Sequence, residues 1–387
     1  MIQKSLYMKF QNHRCFLSLL LSREAFVLLL YMAVSASVLN TFMQTVSFRE
    51  GSTEFGFSKM LEGSADRPYV FRRLVPIIAN YTASLVSPEK QPAFVERYLD
   101  RYHLKQLYFE KGKFRQHQTI EAWSPEYSIK YHTAYFILFL SLIGTLYCLR
   151  ALIPFASSNE NPLTPFVPVI FILLLPLSFM LGNYYYDFVE LFFLSLLLLT
   201  AIKGYYAWWL LFLPLAVLNK ESNILVPFLY AAIMIGNSSK WRSRLFIGVS
   251  FTVSVGVYLF IKQKYSQNPG GTVMWKLGEN IDFWLTPGNY FLWQDFYAPM
   301  ILFPRGLNII LVAVLTSLLF WQWSEKPLFA KRLFVVAMLI NIPLFILFCW
   351  QDEMRNLSFL FLPVYLLIVN TLLAPESGRI STHYHQP

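Results

Sequence analysis

Runs of mainly apolar residues, long enough to cross a bilayer, recur along this chain, and no other feature restricts its fold so tightly. A spanning helix needs about 20 such residues at 1.5 Å per residue to cover a hydrocarbon core of about 30 Å. By that measure the sequence predicts ten spans, near 25–47, 132–153, 164–181, 186–202, 205–219, 223–236, 244–262, 303–323, 332–350 and 357–374. The fourth to sixth are short and poorly separated, as tilted, half-buried or broken helices would be. Backbone groups in lipid must satisfy one another within a segment. The expected fold class is therefore an all-α polytopic membrane protein of about ten transmembrane helices, with a large first extracytoplasmic loop containing interfacial helices.

Composition agrees. Charged residues make up 14% of the 387 positions and hydrophobic ones 56%, whereas a soluble domain carries about a quarter charged residues. The formal charge of +10 reads as Lys/Arg retained on the cytoplasmic side plus a basic loop, and no nucleic-acid partner is expected. Cys15, Cys148 and Cys349 lie in or beside apolar stretches with no CxxC or His-linked spacing, so neither a disulfide framework nor a zinc site is indicated.

Lys and Arg in short connections set orientation. One side holds Lys4, Lys9, Arg14 and Arg23, then Arg150 and Lys203, then Lys240, Arg242 and Arg244, then Lys326, Lys331 and Arg332, and last Arg379. The opposite short connections hold essentially Lys220 and Arg355. Both termini are thus expected to be cytoplasmic, and the compact loops favour a bacterial inner (plasma) membrane. The chain reads as one transmembrane domain over 1–387, with two long outward loops. The first, 48–131, carries 13 Lys/Arg and 10 Asp/Glu; long loops translocate regardless of charge, so it does not oppose the orientation. The second, 263–304, is rich in Trp, Tyr, Gly and Pro, and reads as a folded lid on the membrane surface.

Each short outward turn carries a carboxylate among other polar groups. Gly182-Asn183-Tyr184-Tyr185-Tyr186-Asp187 with Glu190 is one, Asn219-Lys220-Glu221-Ser222 a second, and Gln351-Asp352-Glu353-Met354-Arg355-Asn356 a third. Ionisable groups at membrane depth are costly, so they pair or serve a site. Asp187 and Glu190, three residues apart, share one helix face. They are placed to hold a divalent cation, to accept a substrate hydroxyl or amine, or to form an ion pair with Lys220 or Arg355. Glu221, Asp352 and Glu353 stand either in a site or at solvated helix ends. Arg72 and Arg73 sit in an apolar frame, Tyr69 to Ala79, that reads as an amphipathic helix in the outer interface. There they would bind a diphosphate or lipid headgroups by charge-assisted, often bidentate hydrogen bonds.

Taken together, these features resemble the GT-C superfamily of lipid-dependent membrane glycosyltransferases. The similarity rests on the large first outward loop opening on an acidic residue, the Arg72-Arg73 segment before Leu74-Val75-Pro76, the Tyr186-Asp187 helix mouth, the Asn219-Lys220-Glu221 turn and the late Glu353-x-Arg355 turn. The resemblance implies a polyprenyl-phosphate or -diphosphate sugar donor, a glycan, lipid or protein acceptor, and a catalytic Asp or Glu early in the first outward loop. The matching position carries Glu50, with Glu54 and Asp66 behind it; the acidic pair usual just after the first span is missing. Inverting sugar transfer needs one carboxylate to take the acceptor proton and cations to stabilise the departing phosphate. Glu50 or Asp66 fits the base, and Arg72, Arg73, Lys220 and Arg355 fit the phosphate ligands. A glycan polymerase or ligase driven by Arg72 and Arg73, a transporter and a scaffold subunit are the competing readings. A transporter is expected to show pseudo-symmetric halves with Gly/Pro-broken helices, and no repeat is visible.

Overall fold

The computed structural model describes residues 23–50, 52–109, 123–157, 162–179, 184–231, 233, 240–271, 273–296 and 298–373. The N-terminal basic segment, Cys15, Gly182, Asn183, part of the span expected near 223–236, and Arg379 lie outside the described residues. In chain order the helices are α1 (Arg23–Thr45), α2 (Phe57–Glu62), α3 (Leu74–Ser84), α4 (Pro125–Ala156), α5 (Val167–Phe179), α6 (Tyr186–Lys203), α7 (Tyr206–Asn219), α8 (Lys240–Lys264), α9 (Leu277–Trp284), α10 (Ile309–Phe320), α11 (Leu328–Phe348) and α12 (Ser358–Leu372). Short turns and single helical turns join them. The fold is helical, and five helices are long and apolar enough to cross a membrane: α1, α4, α8, α11 and the stretch Met354–Leu372 that contains α12. Three shorter apolar helical stretches, Thr164–Leu175, Tyr206–Asn219 and Ile309–Phe320, accompany them.

Two stretches depart from the hydropathy pattern. The run expected to span 223–236 opens as a 3-10 segment, Glu221–Leu225, followed by α-helix over Val226–Leu229, with Pro227 in the first turn, where its missing N–H is tolerated. The run expected from 303 enters as a strand. Trp293–Phe296 (β1) and Ala298–Pro304 (β2) form an antiparallel hairpin in the register Trp293↔Pro304 and Gln294↔Phe303, and helix begins only at Ile309, capped by the Asn308 side chain on the Ile310 N–H.

At the centre stands α4, packed against α1, α3, α5, α6 and α12. Its buried stripe Leu138, Leu142, Leu146, Leu149 and Leu152–Ile153 recurs every three or four residues, the period of one helix face. Lipid is as apolar as leucine, so close packing of small residues matters more here than apolar burial. Gly144 shows this: a Cβ there would lie 2.5 Å from the Phe192 ring of α6. At one end of the bundle Arg150 makes a bidentate pair with Glu24 of α1, both bonds 2.7 Å. At that same end Tyr365 donates to the Leu149 carbonyl, Asn370 to that of Ala156, and buried Lys326 to Leu367 and Thr371. Cys148 and Cys349 are free thiols.

The two long connections meet at the other end. Asn268 donates from Nδ2 to the carbonyls of Gly63 (2.8 Å) and Ala65 (2.9 Å), and the Arg67 N–H donates to Pro269 O at 2.8 Å. Gly270 makes this close approach possible: its φ is +83°, and an added Cβ would lie 2.6 Å from Arg67 O. Both conditions act against any side chain. Gly270→Ala is expected to destabilise the junction by about 1–3 kcal/mol. Faster hydrogen exchange confined to residues near 63–67 and 265–271 would show it, and an unchanged exchange pattern would refute it.

Candidate functional site

Four short segments bring their polar residues to one place. The first turn of α6 carries Asp187 and Glu190 inward, on one face by their spacing of three. Lys220 ends α7 in extended backbone and turns its amine between them, 3.2 Å from Asp187 Oδ1 and 2.6 Å from Glu190 Oε2. Arg355, from the turn before α12, reaches Asp187 Oδ2 at 3.3 Å with Nη1 and Glu353 Oε2 at 3.1 Å with Nη2. Ser222 (3.3 Å) and Ser358 (3.1 Å) donate to Glu190 Oε1, and the Tyr184 N–H donates to Asp187 Oδ2 at 3.0 Å. Asp187, Glu190, Lys220 and Arg355 are all 7% exposed or less, so these charges depend on one another. Of the alternatives the sequence left open for Asp187 and Glu190, the structure contains the ion pair: both carboxylates already accept from Lys220 and other donors. Among the described residues, no group of three or more His, Cys, Asp or Glu side chains is arranged to hold a metal ion.

The arginine pair is placed differently from the expected interfacial helix. Arg72 and Arg73 precede α3 in the turn after Tyr69–Phe71, and both are buried. Arg72 makes a fork-on-fork pair with Glu221, Nε to Oε2 at 3.1 Å and Nη2 to Oε1 at 2.7 Å, and also donates to the Tyr186 hydroxyl. Burial disfavours the charged form of Glu221, but the Arg72 guanidinium holds its carboxyl below the usual range. Arg73 donates to the carbonyls of Met60 and Leu61 and lies 5.2 Å from the Tyr265 ring. Both guanidinium groups thus point into protein and not toward headgroups, because carboxylate, hydroxyl and carbonyl acceptors surround them.

Three residues absent from the sequence-based selection complete the site. The rings of Tyr184 and Tyr186 stack 5.0 Å apart at 9°. Arg49 lies 4.3 Å from the Tyr184 centroid and Arg355 4.9 Å, while Arg72 lies 4.3 Å from that of Tyr186. Guanidinium groups favour aromatic faces, so a pair of tyrosines gathers three cations from three separate segments. The Tyr-Tyr-Tyr run beside Asp187 and the Arg49-Glu50 dipeptide were the signals in the sequence.

Glu50, next to Arg49, accepts from the Tyr127 hydroxyl at 3.3 Å and the Ser47 hydroxyl at 3.4 Å. Burial pushes its carboxyl up to about 7, against the pull of those hydrogen bonds. The other acidic candidates lie elsewhere. Glu54 is exposed, and Asp66, part-exposed, is tied to it only through backbone, Asp66 N–H to Glu54 O at 2.7 Å. Asp352 pairs with Arg305 at 3.0 Å, outside the Asp187–Lys220 cluster, whereas Glu353 joins it through Arg355. No family model, no curated protein and no solved structure matches the chain.

Proposed function

We propose that this protein transfers a sugar from a polyprenyl-phosphate or -diphosphate donor to a hydroxyl of a glycan, lipid or protein acceptor at the extracytoplasmic membrane face. In this reading the chain crosses the membrane ten times, counting α6, the run near 223–236 and the three shorter apolar helices with the five long ones, with both termini cytoplasmic and in a bacterial inner membrane. The Lys/Arg bias of alternate connections supports that sidedness.

One observation carries the chemistry: Glu50, which accepts from the Ser47 and Tyr127 hydroxyls and is held near neutral pKa, follows directly in the chain on Arg49, whose guanidinium shares the stacked Tyr184–Tyr186 pair with Arg355 and Arg72. A general base works best with a pKa near the working pH. The acceptor oxygen attacks the anomeric carbon while its proton passes to a Glu50 oxygen. The carbon–oxygen bond to phosphate breaks, and its electron pair stays on the phosphate. Arg49, Arg72 and Arg355 stabilise the charge that develops there. The Asp187–Glu190–Lys220 cluster acts through Arg355, fixing where its guanidinium stands. Glu54 and Asp66, proposed with Glu50 from the sequence, act in this reading as loop-positioning residues.

The test is transfer of radiolabelled sugar from a polyprenyl-phosphate donor by the protein in proteoliposomes. Glu50→Gln is expected to lose transfer while Glu54→Gln keeps it. Full activity in Glu50→Gln would sink the base assignment. Loss confined to Arg72→Lys and Arg73→Lys would favour the arginine-driven ligase or polymerase instead.

A further inference from the structure

Helix α9, in the second long connection, divides its surface three ways. Asn280 and Trp284, four residues apart, face protein. Asn280 Nδ2 donates to the carbonyls of Ile346 (2.8 Å) and Cys349 (2.9 Å), and Trp284 donates to Gln351 O at 3.3 Å. The Lys276 N–H adds a bond to Leu347 O at 2.8 Å. These carbonyls belong to the last turn of α11 and the residues just after it, where a membrane-crossing helix ends and its C=O groups lack partners. The second stripe, Ile281 and Leu285, is apolar and exposed, Leu285 to 77%. The third, Glu279 and Asp282, is acidic and exposed.

Large apolar side chains continue on either side of α9: Val273, Trp275 (62% exposed), Phe291 (60% exposed) and Trp293. The Lys276 ammonium lies 3.8 Å from the Trp350 ring, and Trp350 is itself half-exposed. A soluble face with this many open aromatic groups would be a liability. The backbone bonds to the end of α11 fix the patch at the level where a crossing helix leaves the hydrocarbon. Trp and Lys beside an amphipathic helix are what that layer accepts.

We infer that residues 273–293 form an in-plane anchor, seated in the outer headgroup layer with Trp275, Ile281, Leu285, Phe291 and Trp293 dipping toward the acyl chains. The occupant of this face is membrane phospholipid. Ile309, Ile310 and Val312 of α10, the next helix in the chain, are exposed as well. Because Asn268 and Pro269 are bonded to residues 63–67, the anchor also ties the first outward loop to the membrane surface. This inference is independent of the proposed reaction.

The experiment uses the full-length protein in phospholipid nanodiscs, with a benzophenone amino acid replacing Leu285, Phe291 or Glu279 in turn. These positions are exposed or part-exposed, so the fold tolerates the change, and elution as a monodisperse disc confirms it. Irradiation is expected to give phospholipid adducts by mass spectrometry at 285 and 291, and little or none at 279. Absence of lipid adducts at either apolar position overturns the inference, as does a covalent dimer from 285 that would make this face an interface between two copies. Equal labelling at all three positions also overturns it, because the acidic stripe would then be immersed too.

Discussion

Glu50→Gln is expected to lower sugar transfer by about a hundred- to ten-thousand-fold, the range that removal of a general base produces. The pH profile separates this from a merely structural loss. With its carboxyl raised to about 7, the wild-type base is protonated and idle below that pH, so activity should rise with pH along a limb centred near 7. The residual activity of Glu50→Gln should lack that limb. Stability moves in the opposite direction. Between about 4.5, the ordinary carboxyl value, and about 7, the unfolded chain has released a proton that the folded protein keeps. Folding stability therefore falls as pH rises through that window, and Glu50→Gln should flatten the fall. A mutant that is equally active, or equally pH-dependent, would show that Glu50 is not the base.

Lys220→Met is expected to cost about 3–5 kcal/mol of stability, the usual loss when one partner of a buried pair is removed. Asp187 would keep Arg355, but Glu190 would retain only the hydroxyls of Ser222 and Ser358. The second change that should rescue it is therefore Glu190→Gln and not Asp187→Asn. Thermal unfolding in detergent of the single and both double variants tests this. A Lys220→Met protein as stable as the wild type would mean that the ammonium does not compensate Glu190. Glu221 adjoins Lys220 in the chain and feels its charge, so mutations at the Arg72–Glu221 pair should couple to Lys220→Met and not simply add.

The sequence made the membrane bundle legible because hydropathy over 20 residues reports what a helix must face. It also marked the three polar turns that meet at the site, since Asp187, Glu190, Lys220 and Arg355 are each anomalous where they stand. Through-space pairing was not legible. Glu221 follows Lys220 in the chain yet pairs with Arg72, 149 residues away, because the extended backbone at Lys220 sends neighbouring side chains to opposite sides. Asp352 and Glu353, also neighbours in the chain, pair apart as well, with Arg305 and Arg355. The cation-gathering role of Tyr184 and Tyr186 was hidden because aromatic residues are common throughout this chain. The span expected from 303 starts a few residues early, its first two residues closing β2 before helix begins at Ile309, since a strand and a buried helix end look alike in a short apolar run.

The length of α4 serves as a ruler. Its charged residues Lys130 and Arg150 bracket the 19 residues 131–149, about 28 Å at 1.5 Å per residue and close to the thickness of a hydrocarbon core. On the proposed orientation Tyr127, which donates to Glu50, then stands roughly one helical turn, or about 5 Å, above the oily layer. That is the altitude of lipid phosphates. A molecule tethered by an acyl or prenyl tail would present its phosphate to Glu50 and the arginines without leaving the bilayer, and a water-soluble acceptor would meet it there without entering.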